Sequence, residues 1–371
     1  MKIIVLKNNL KEGLDAVSRT VGEKINLPIL KNVLIDGEDG KIKIFATNLE
    51  TAIIKEVSGK IIEPGKITVP FDVLFNIISN VPGERINLET KKSNLFLKTD
   101  NYEASIQGVN SDEFPIIPKI KKDKNFLEIQ GAILKEGMNK IINACQISEL
   151  RPELSGILFN VEGEAIKLTA TDSFRLAEKT IPSSQFKNHF ADKVKKIIIP
   201  LKAVQEATRS LEENSSIKIF IDDAQILFQS ETIEIISRLI DGQFPDYEQI
   251  VPKEVDAEIL LNRDELISAL KLVSVFSSRN NEVSIKIQEN KKTLEIYSVD
   301  SALGENKYLI PIKIKGESSG VAFNWRYFVD GLKNVGLENV FLGLQGDARP
   351  AIIKSTNDPS YFYVLMPIKN S

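Results

Sequence analysis

The chain offers few of the side chains that nucleophilic or metal-dependent catalysis requires. Its 371 residues include one cysteine and one histidine. Cys145 continues the helical pattern of Leu134, Met138 and Ile141, so we expect it in the core. His189 stands in a polar stretch and is expected in a solvated loop. One residue of each type cannot build a Cys/His zinc site. We therefore predict no catalytic residue, metal or cofactor.

Paired carboxylates are the remaining route to catalysis, since 51 Asp and Glu residues make some close pairs inevitable. Asn48, Asp172 and Asp300, however, recur at the ends of similar predicted strands. This recurrence favours a role in hairpin structure over chemistry. An enzyme remains an alternative, and loss of turnover on Asp172→Asn substitution with the fold intact would support it.

The charge balance bears on nucleic-acid binding. A net charge of −3 and a pI near 5.7 argue against a protein that grips DNA through a basic surface. The objection is weaker for a protein that holds DNA by topology. Lys202 and Arg209, like Arg326 and Lys333, are seven residues apart and share a helix face. Each pair could contact phosphates or belong to an ordinary solvated face.

Targeting signals are not evident in the sequence. Charge follows at once after Met1, and no run approaches eighteen apolar residues. We expect a cytoplasmic protein without a membrane span.

Three similar units follow one another along the chain. Each opens with an amphipathic helix and later has a second one. The apolar faces of the three first helices are Leu10, Leu14, Val17 and Val21; Leu134, Met138, Ile141 and Cys145; and Leu266, Leu270 and Val273. Those of the three second helices are Phe71, Leu74, Phe75 and Ile78; Leu201, Val204, Ala207 and Leu211; and Trp325, Phe328, Leu332 and Val335. Pro70 and Pro200 precede two of the second helices, and Asn324 can cap the third. Alternating strands, such as 86–88, 217–221 and 340–344, fill the rest.

The spacing of these landmarks is nearly constant. Asn48 and Asp172 are 124 residues apart, and Asp172 and Asp300 are 128 apart. Such a period predicts three domains of ordinary size, at residues 1–121, 122–253 and 254–371. Each is expected to be α+β, with antiparallel sheet and two helices. A scaffold of three such domains without any role on DNA remains an alternative.

Several segments carry a family resemblance across almost the whole chain. They are Asn26-Leu27-Pro28-Ile29-Leu30, residues 170–177 (Ala-Thr-Asp-Ser-Phe-Arg-Leu-Ala), Phe244-Pro245-Asp246-Tyr247 with Val251-Pro252, and Met366-Pro367. In this order and on a threefold repeat, they resemble the bacterial sliding clamps, the β subunits of DNA polymerase III. The resemblance implies a non-catalytic processivity factor for DNA replication.

The resemblance also implies a fold and an assembly. Two chains would join head to tail into a ring of six clamp-type domains, with sheets outside and helices lining the hole. The homodimer contacts would involve Val73, Leu74 and Ile77 of one chain and Val275 and Phe276 of the other. Those last two residues could instead be ordinary core.

Double-stranded DNA would pass through the ring without sequence-specific contacts. The DNA-binding candidates are Lys24, Arg151, Lys202, Arg209, Arg326 and Lys333. Lys24 replaces an arginine that is common in the family, and so keeps the charge but not the planar fork.

A clamp loader, DNA polymerases and repair proteins would bind through short peptides in an apolar pocket. The matching residues are Arg151, Leu154, Thr171, Ser173, Phe174, Arg175, Leu176, Pro245, Gln249, Ile250, Pro350, Val364, Met366 and Pro367. Phe174 stands where the family typically has histidine, and Gln249 where a basic residue is frequent. With an unusual tail at 368–371, these departures imply a different peptide preference. Leu154, Leu176 and Val364 could also be ordinary core.

Overall fold

The computed structural model describes residues 1–22, 27–191 and 194–368. Within these ranges each predicted repeat has two α-helices, as expected from the sequence. They are α1 (Lys7–Val17), α2 (Phe71–Asn80), α3 (Gly131–Ile141), α4 (Leu201–Ser210), α5 (Arg263–Val273) and α6 (Trp325–Lys333).

Each repeat also contributes nine strands to the described part of the chain. The first has β1 (Lys2–Leu6), β2 (Asn32–Asp36), β3 (Ile42–Thr47), β4 (Thr51–Val57), β5 (Gly59–Glu63), β6 (Lys66–Pro70), β7 (Arg85–Lys91), β8 (Asn94–Lys98) and β9 (Glu103–Gln107). The second has β10 (Leu127–Gln130), β11 (Gly156–Glu162), β12 (Ala165–Thr171), β13 (Arg175–Pro182), β14 (Phe186–Asn188), β15 (Val194–Pro200), β16 (Ser216–Ile221), β17 (Gln225–Gln229) and β18 (Ile233–Arg238). The third has β19 (Ala257–Asn262), β20 (Glu282–Ile287), β21 (Thr293–Asp300), β22 (Gly304–Pro311), β23 (Lys313–Gly316), β24 (Val321–Asn324), β25 (Asn339–Leu344), β26 (Ala351–Ser355) and β27 (Tyr361–Leu365).

The local signals that predicted the helices are confirmed. The Asn324 side chain caps α6, because its oxygen accepts from the backbone N–H of Arg326 at 3.0 Å and of Tyr327 at 3.4 Å. The tripeptide Lys-Glu-Gly, which occurs at residues 11–13 and again at residues 135–137, also has a packing reason. A Cβ on Gly13 would lie 2.5 Å from Val57, and one on Gly137 would lie 2.9 Å from Leu168, so glycine lets both helices pack closely on their sheets.

The predicted structural role of the strand-end Asn and Asp residues is also confirmed. Each side-chain oxygen accepts hydrogen bonds from the backbone N–H groups two and three residues ahead, at 2.8–3.0 Å for Asn48, 3.0 Å for Asp172 and 2.8–3.0 Å for Asp300. Asn and Asp favour such turns, because their short side chains reach the backbone just ahead of them. These residues fix chain reversals.

The chain folds into two compact units. The first unit comprises 1–135, 184–191 and 202–239, and the second comprises 136–183, 192–201 and 240–371. The described residues of the first unit form one sheet in the order β5-β1-β7-β8-β9 and another in the order β14-β10-β16-β17-β18-β4-β3-β2-β6. Those of the second unit form β15-β11-β12-β13-β27-β26-β25-β19-β23 and β22-β21-β20-β24.

Each long sheet joins two successive repeats by the same antiparallel pairing. In the first unit β18 of the second repeat pairs with β4 of the first, and in the second unit β27 of the third repeat pairs with β13 of the second. We call these pairings the first and second joints. The units therefore cut across the repeats, and the predicted domain boundaries after residues 121 and 253 stay predictions.

A helix-end contact accompanies each joint. At the first joint the Arg209 guanidinium, on α4, donates to the backbone oxygen of Ala16 at 2.9 Å, at the end of α1. At the second joint the Asn334 amide, just after α6, donates to the backbone oxygen of Lys140 at 2.9 Å, at the end of α3. Both contacts satisfy a carbonyl that the helix end leaves without an internal partner.

Two strands occupy the same positions in their repeats as the strands that form the joints, but one side of each is unpaired in the described structure. β9 corresponds to β18 and β27 but is the last strand of its sheet, and β22 corresponds to β4 and β13 but also ends its sheet. Their side chains are mostly exposed, whereas those of the paired strands are mostly buried. An open strand edge is a template for pairing with another chain.

Within the ranges that the structure describes, no helix is long and apolar enough to cross a bilayer. The same residues include no cluster of three or more His, Cys, Asp or Glu side chains that could hold a metal ion.

Candidate functional site

The predicted peptide pocket in the second unit has an apolar floor. Leu176 and Val364 face each other across the β13–β27 ladder and are almost fully buried. They pack in one cluster with Leu158, Phe244 and Tyr247. The rings of Phe244 and Tyr247 meet edge to face, with their centroids 6.2 Å apart. This floor is buried in the single chain, so Leu176 and Val364 are core residues that lie beneath the predicted pocket.

A buried hydrogen bond holds this floor in place. The Tyr247 hydroxyl donates to the Glu178 carboxylate at 2.5 Å, and both side chains are buried. Burial, reinforced by Glu178, raises the pKa of Tyr247 above its ordinary value, so the hydroxyl keeps its proton at neutral pH.

The rim carries exposed apolar side chains. Phe174 is 61% exposed and Ile250 is 43% exposed. The backbone oxygen of Phe174 accepts from Met366 N–H at 2.9 Å, so the β12–β13 turn and the chain after β27 lie side by side. Large exposed apolar groups beside a buried apolar cluster are typical of a binding surface.

The remaining predicted pocket residues divide between rim and support. Pro245, Pro350, Met366 and Pro367 are partly buried, whereas Gln249 is exposed and donates to Asp246 at 2.6 Å.

Leu154 and Thr171 lie deeper in the second unit. Leu154 is buried, and the Thr171 hydroxyl donates to the backbone oxygen of Arg175 at 2.7 Å. Both support the surface rather than extend it.

Arg175 supports the pocket from below. Its guanidinium donates to Asp172 at 2.9 Å and to Asp330 at 2.7 Å, and it stacks 4.1 Å above the ring of Tyr327. Burial opposes its charge, but Tyr363, Asp172 and Asp330 outweigh burial and raise the pKa of the guanidinium. Its donors are thus committed inside the protein.

Arg151, by contrast, lies at the surface. It donates to the Ser173 hydroxyl at 3.1 Å and to Glu153 at 3.2 Å, and its side chain is half exposed. Ser173 has a φ of 76°, in the left-handed region, at the tip of the turn that Asp172 fixes. Arg151 and Ser173 are thus available at the edge of the pocket.

Sequence reasoning missed the aromatic half of the floor. Phe244 and Tyr247 were not assigned to the pocket, although their repeat counterparts Phe114 and Ile117 are also apolar. Asp330 was missed as well, because its pairing with Arg175 joins residues 155 positions apart.

The core position predicted for Cys145 is confirmed. Its thiol is buried and lies 3.3 Å from the backbone oxygen of Leu154. Burial raises its pKa from 9.0 to about 12.

We expect the thiolate fraction of Cys145 at pH 8 to be about a thousandfold lower in the native than in the unfolded chain. Iodoacetamide should therefore label native protein at least a thousandfold more slowly than urea-unfolded protein, as measured by intact mass. Comparable rates in the two states would contradict the buried position.

The DNA-binding candidates differ in their availability. Lys202, Arg326 and Lys333 are exposed on α4 and α6. Arg209 instead binds Glu206 at 2.6 Å in addition to its contacts at the end of α1, so it has a structural role. Lys24 lies outside the residues that the structure describes.

The first predicted subunit surface lies on α2 and β9. Val73 is exposed and Ile77 is partly buried, whereas Leu74 is fully buried in its own unit and supports the helix from inside. Phe96 and Tyr102, on and just before the neighbouring strands, are exposed as well.

The second predicted subunit surface lies after α5 and on β22. Val275 is 66% exposed, and the Phe276 ring is placed so that a Cβ on Gly304 would lie 3.4 Å from it. The Asn306 amide donates to the backbone oxygen of Leu272 at 3.1 Å. The end of α5 and the open strand therefore form one continuous surface.

Comparisons with known proteins agree along the whole chain. Three family models match, described as the N-terminal domain of the DNA polymerase III beta subunit over residues 1–118, its central domain over 128–246 and its C-terminal domain over 248–369.

Individual relatives are similar over their full length. The beta sliding clamp of Bacillus subtilis is 27% identical over 386 residues, with complete coverage of both chains. That of Synechococcus elongatus is 26% identical, covering all of this chain and 99% of its own. The crystal structure of the DNA polymerase sliding clamp from Bacillus subtilis superposes with a TM-score of 0.93 at 25% identity, over all of both chains. This chain therefore belongs to the DNA polymerase III beta subunit family, the bacterial sliding clamps.

Proposed function

We propose that this protein is a DNA sliding clamp that encircles duplex DNA as a head-to-tail homodimer. It is non-catalytic, and it tethers the replicative polymerase and other replication and repair proteins to their template. Such linkage raises the effective concentration of a tethered enzyme without a tight grip on DNA. We place it in the cytoplasm, with a clamp loader as a further partner.

The observation that carries the proposal is the pair of open strands. The chain makes the same joint twice and leaves one strand of each kind, β9 and β22, unpaired on one side in the described structure. Pairing β9 of one copy with β22 of another makes a third joint of the same design. A head-to-tail contact of this type gives a ring when its rotation closes.

The in-chain joints predict the register of the third one. Ile235 pairs with Ile53 at the first joint, and Tyr363 pairs with Ala177 at the second. When the ladders are followed outward from β1, β10 and β19, the residue at this position of β9 is Ala104. When the strand-end residues Asn48, Asp172 and Asp300 are aligned, the residue of β22 that corresponds to Ile53 and Ala177 is Asn306. The same register places Glu103 opposite Lys307 and Tyr102 opposite Tyr308.

The helix-end contact should recur as well. Asn80 occupies the position on α2 that Asn334 occupies after α6, and each donates to the backbone oxygen four residues earlier. Asn334 also donates to Lys140, whose counterpart at the end of α5 is Leu272. We therefore propose that Asn80 donates to the backbone oxygen of Leu272 in the other copy.

The register makes a charge-swap prediction. Glu103→Lys and Lys307→Glu should each weaken the dimer by roughly tenfold per contact, because like charges would then stand opposite each other. The double variant should regain most of the affinity. Sedimentation equilibrium over a dilution series measures both effects, and additive losses in the double variant would rule out this register.

Contact with DNA would come from exposed lysines and arginines, which position the duplex without reading bases. We propose Lys202, Arg326 and Lys333 on the helices, with Arg151 from a loop. Lys24, outside the described residues, remains a prediction from the sequence. Arg209 takes part only indirectly, since its donors hold the end of α1.

Salt dependence separates these roles. Replacing Lys202 and Lys333 by alanine should make the slope of log K for DNA binding against log salt concentration shallower by about 0.9 for each lost phosphate contact. The thermal stability of this variant should be unchanged. Arg209→Ala should instead lower the thermal stability and leave the slope of log K against log salt concentration unchanged. Fluorescence anisotropy with a labelled duplex at several salt concentrations provides the slope. An unchanged slope in the double lysine variant would remove both residues from the proposal.

The apolar pocket of the second unit would receive the partner peptides. Phe174 and Ile250 supply exposed apolar contacts, and the cluster around Leu176 and Val364 supplies the floor. A leucine or phenylalanine side chain placed there loses water-exposed apolar area, which is the main source of affinity for such motifs. Affinities of about −8 kcal/mol, or micromolar, would let partners exchange.

A topological experiment tests the central claim. The protein is loaded on nicked circular DNA with its clamp loader and ATP, and half of the sample is then linearised by a restriction enzyme. We expect retention through gel filtration on the circle and loss from the linear product. Equal retention on both would favour an ordinary DNA-affinity protein, and no retention on either would favour a scaffold without a role on DNA.

A further inference from the structure

The first unit has a cavity at the joint that corresponds to the peptide pocket of the second unit. It encloses about 340 Å³, within the range of small-ligand and peptide pockets. At the first joint Ala52 pairs with Ile236, just as Leu176 pairs with Val364 at the second. Both residues of the first pair line the cavity.

Most of the cavity lining repeats the geometry of the pocket with different chemistry. By ladder position the counterparts are Thr47 for Thr171, Thr51 for Arg175, Ala52 for Leu176, Ile236 for Val364, and Arg238 for Met366. A smaller Ala52 leaves more room on the floor, and Arg238 introduces a cation at the rim. The cavity is therefore a second version of the pocket and not a copy of it.

Two features of this cavity favour a bound peptide. Ile116 lines it and is 93% exposed, an unusual position for a large apolar side chain. The side-chain oxygen of Gln225, which also lines it, is buried and has no hydrogen-bond donor among the described residues. An extended peptide could cover Ile116 and donate a backbone N–H to Gln225, which would satisfy both.

The charges around the cavity favour an acidic peptide. Arg238 is exposed and forms no ion pair with the described acidic residues, whereas Glu50 is the acidic side chain on this rim. An adjoining cavity of about 690 Å³ shares Ile116 with the first and adds Lys43 and Lys119, which also have no acidic partner among the described residues. Asp39 in this lining likewise has no ion pair among the described residues, whereas Lys66 pairs with Asp36 and Lys122 with Glu234. The charges of the two cavities that have no ion pair are therefore three cations and two carboxylates.

We infer that the first joint is a second peptide-binding site, which takes an extended segment of a protein partner with an aliphatic side chain and flanking carboxylates. The aliphatic side chain packs on Ile116 and Ile236, and a carboxylate pairs with Arg238. The inference rests on the proposed function, because it assumes that the chain recruits partners through short peptides. It adds a site and a preference for acidic peptides.

Methyl NMR of the isoleucine-labelled, deuterated dimer can separate the two sites. The probe is an acetylated, amidated four-residue peptide in which two leucines are flanked by a glutamate on each side, and its neutral match has glutamines instead of the glutamates. Ile116 and Ile236 report on the first unit and Ile250 on the second. We expect the acidic peptide to shift both groups of signals in separate saturation steps.

Variants then assign the site. Ile116→Gln should abolish saturable shifts at Ile236 and leave those at Ile250, whereas the matched control Ile62→Gln, another exposed isoleucine of the first unit, should change neither. Arg238→Glu should weaken the acidic peptide at the first unit by about tenfold and leave the neutral one unchanged. Melting curves confirm that each variant folds.

The outcomes are distinguishable. Shifts at Ile250 without shifts at Ile116 and Ile236 would overturn the second site and leave the proposed function intact. Absence of shifts at all three positions would count against peptide recruitment as a whole. Equal affinity of the first unit for the acidic and neutral peptides would overturn the preference for carboxylates.

Discussion

The Val275→Asp variant should sediment as a 41.5 kDa monomer at concentrations where the unmodified protein is a dimer of twice that mass. Val275 is exposed in the single chain, so the substitution leaves the core intact. In the proposed third joint the carboxylate would be buried without a partner, which costs about 3–5 kcal/mol. At each of two contacts per ring this weakens the dimer by roughly a hundredfold or more.

The variant should also fail to stay on nicked circular DNA, while its second-unit pocket still binds peptide. Ile62→Asp is a matched control, because it places the same charge at another exposed apolar position, on β5. A Val275→Asp protein that remains dimeric would show that the end of α5 lies outside the interface.

The Arg175→Ala variant should lose about 3–5 kcal/mol of stability in the second unit. The substitution leaves the Asp172 carboxylate, which is almost fully buried, without the guanidinium that neutralises it. It also removes the bond to Asp330 and the stacking on Tyr327. Trp325 is the single tryptophan of the chain and begins α6, which carries Tyr327 and Asp330, so its fluorescence during urea unfolding reports on this region.

Arg151→Ala is the matched comparison for Arg175→Ala. Arg151 also belongs to the predicted pocket but is half exposed, and an exposed ion pair such as its contact with Glu153 contributes at most about 1 kcal/mol. Arg151→Ala should, in contrast, weaken peptide binding more than Arg175→Ala does, because the Arg151 side chain is accessible at the rim. Equal losses of stability in the two variants would contradict a buried supporting role for Arg175.

Sequence alone predicted the parts of this fold that depend on local signals. The apolar faces of the six helices, the cap at Asn324 and the turns at Asn48, Asp172 and Asp300 each depend on residues within a few positions of one another. These signals survive divergence because each satisfies a nearby backbone group or buries a helix face.

Long-range pairings were beyond reach of the same reasoning. The shared helix face of Lys202 and Arg209 was correctly seen, but only the structure shows Arg209 turned to the end of α1, more than 190 positions away. Likewise, Arg175 resembled a polar pocket residue until its pairing with Asp330 was visible. Charge and periodicity say which face a side chain occupies and not which distant group it meets.

The sheet arrangement has a consequence for chain connectivity. At each joint, one strand of a repeat pairs with a strand of the next repeat. These ladders depend on backbone hydrogen bonds between the two strands and not on which repeats are covalently linked. A circular permutant that starts at residue 122 and continues from residue 371 into residue 1 would preserve every ladder. It would only exchange which joint is covalently linked, so closure of the proposed ring would depend on the repeat and not on the position of the termini.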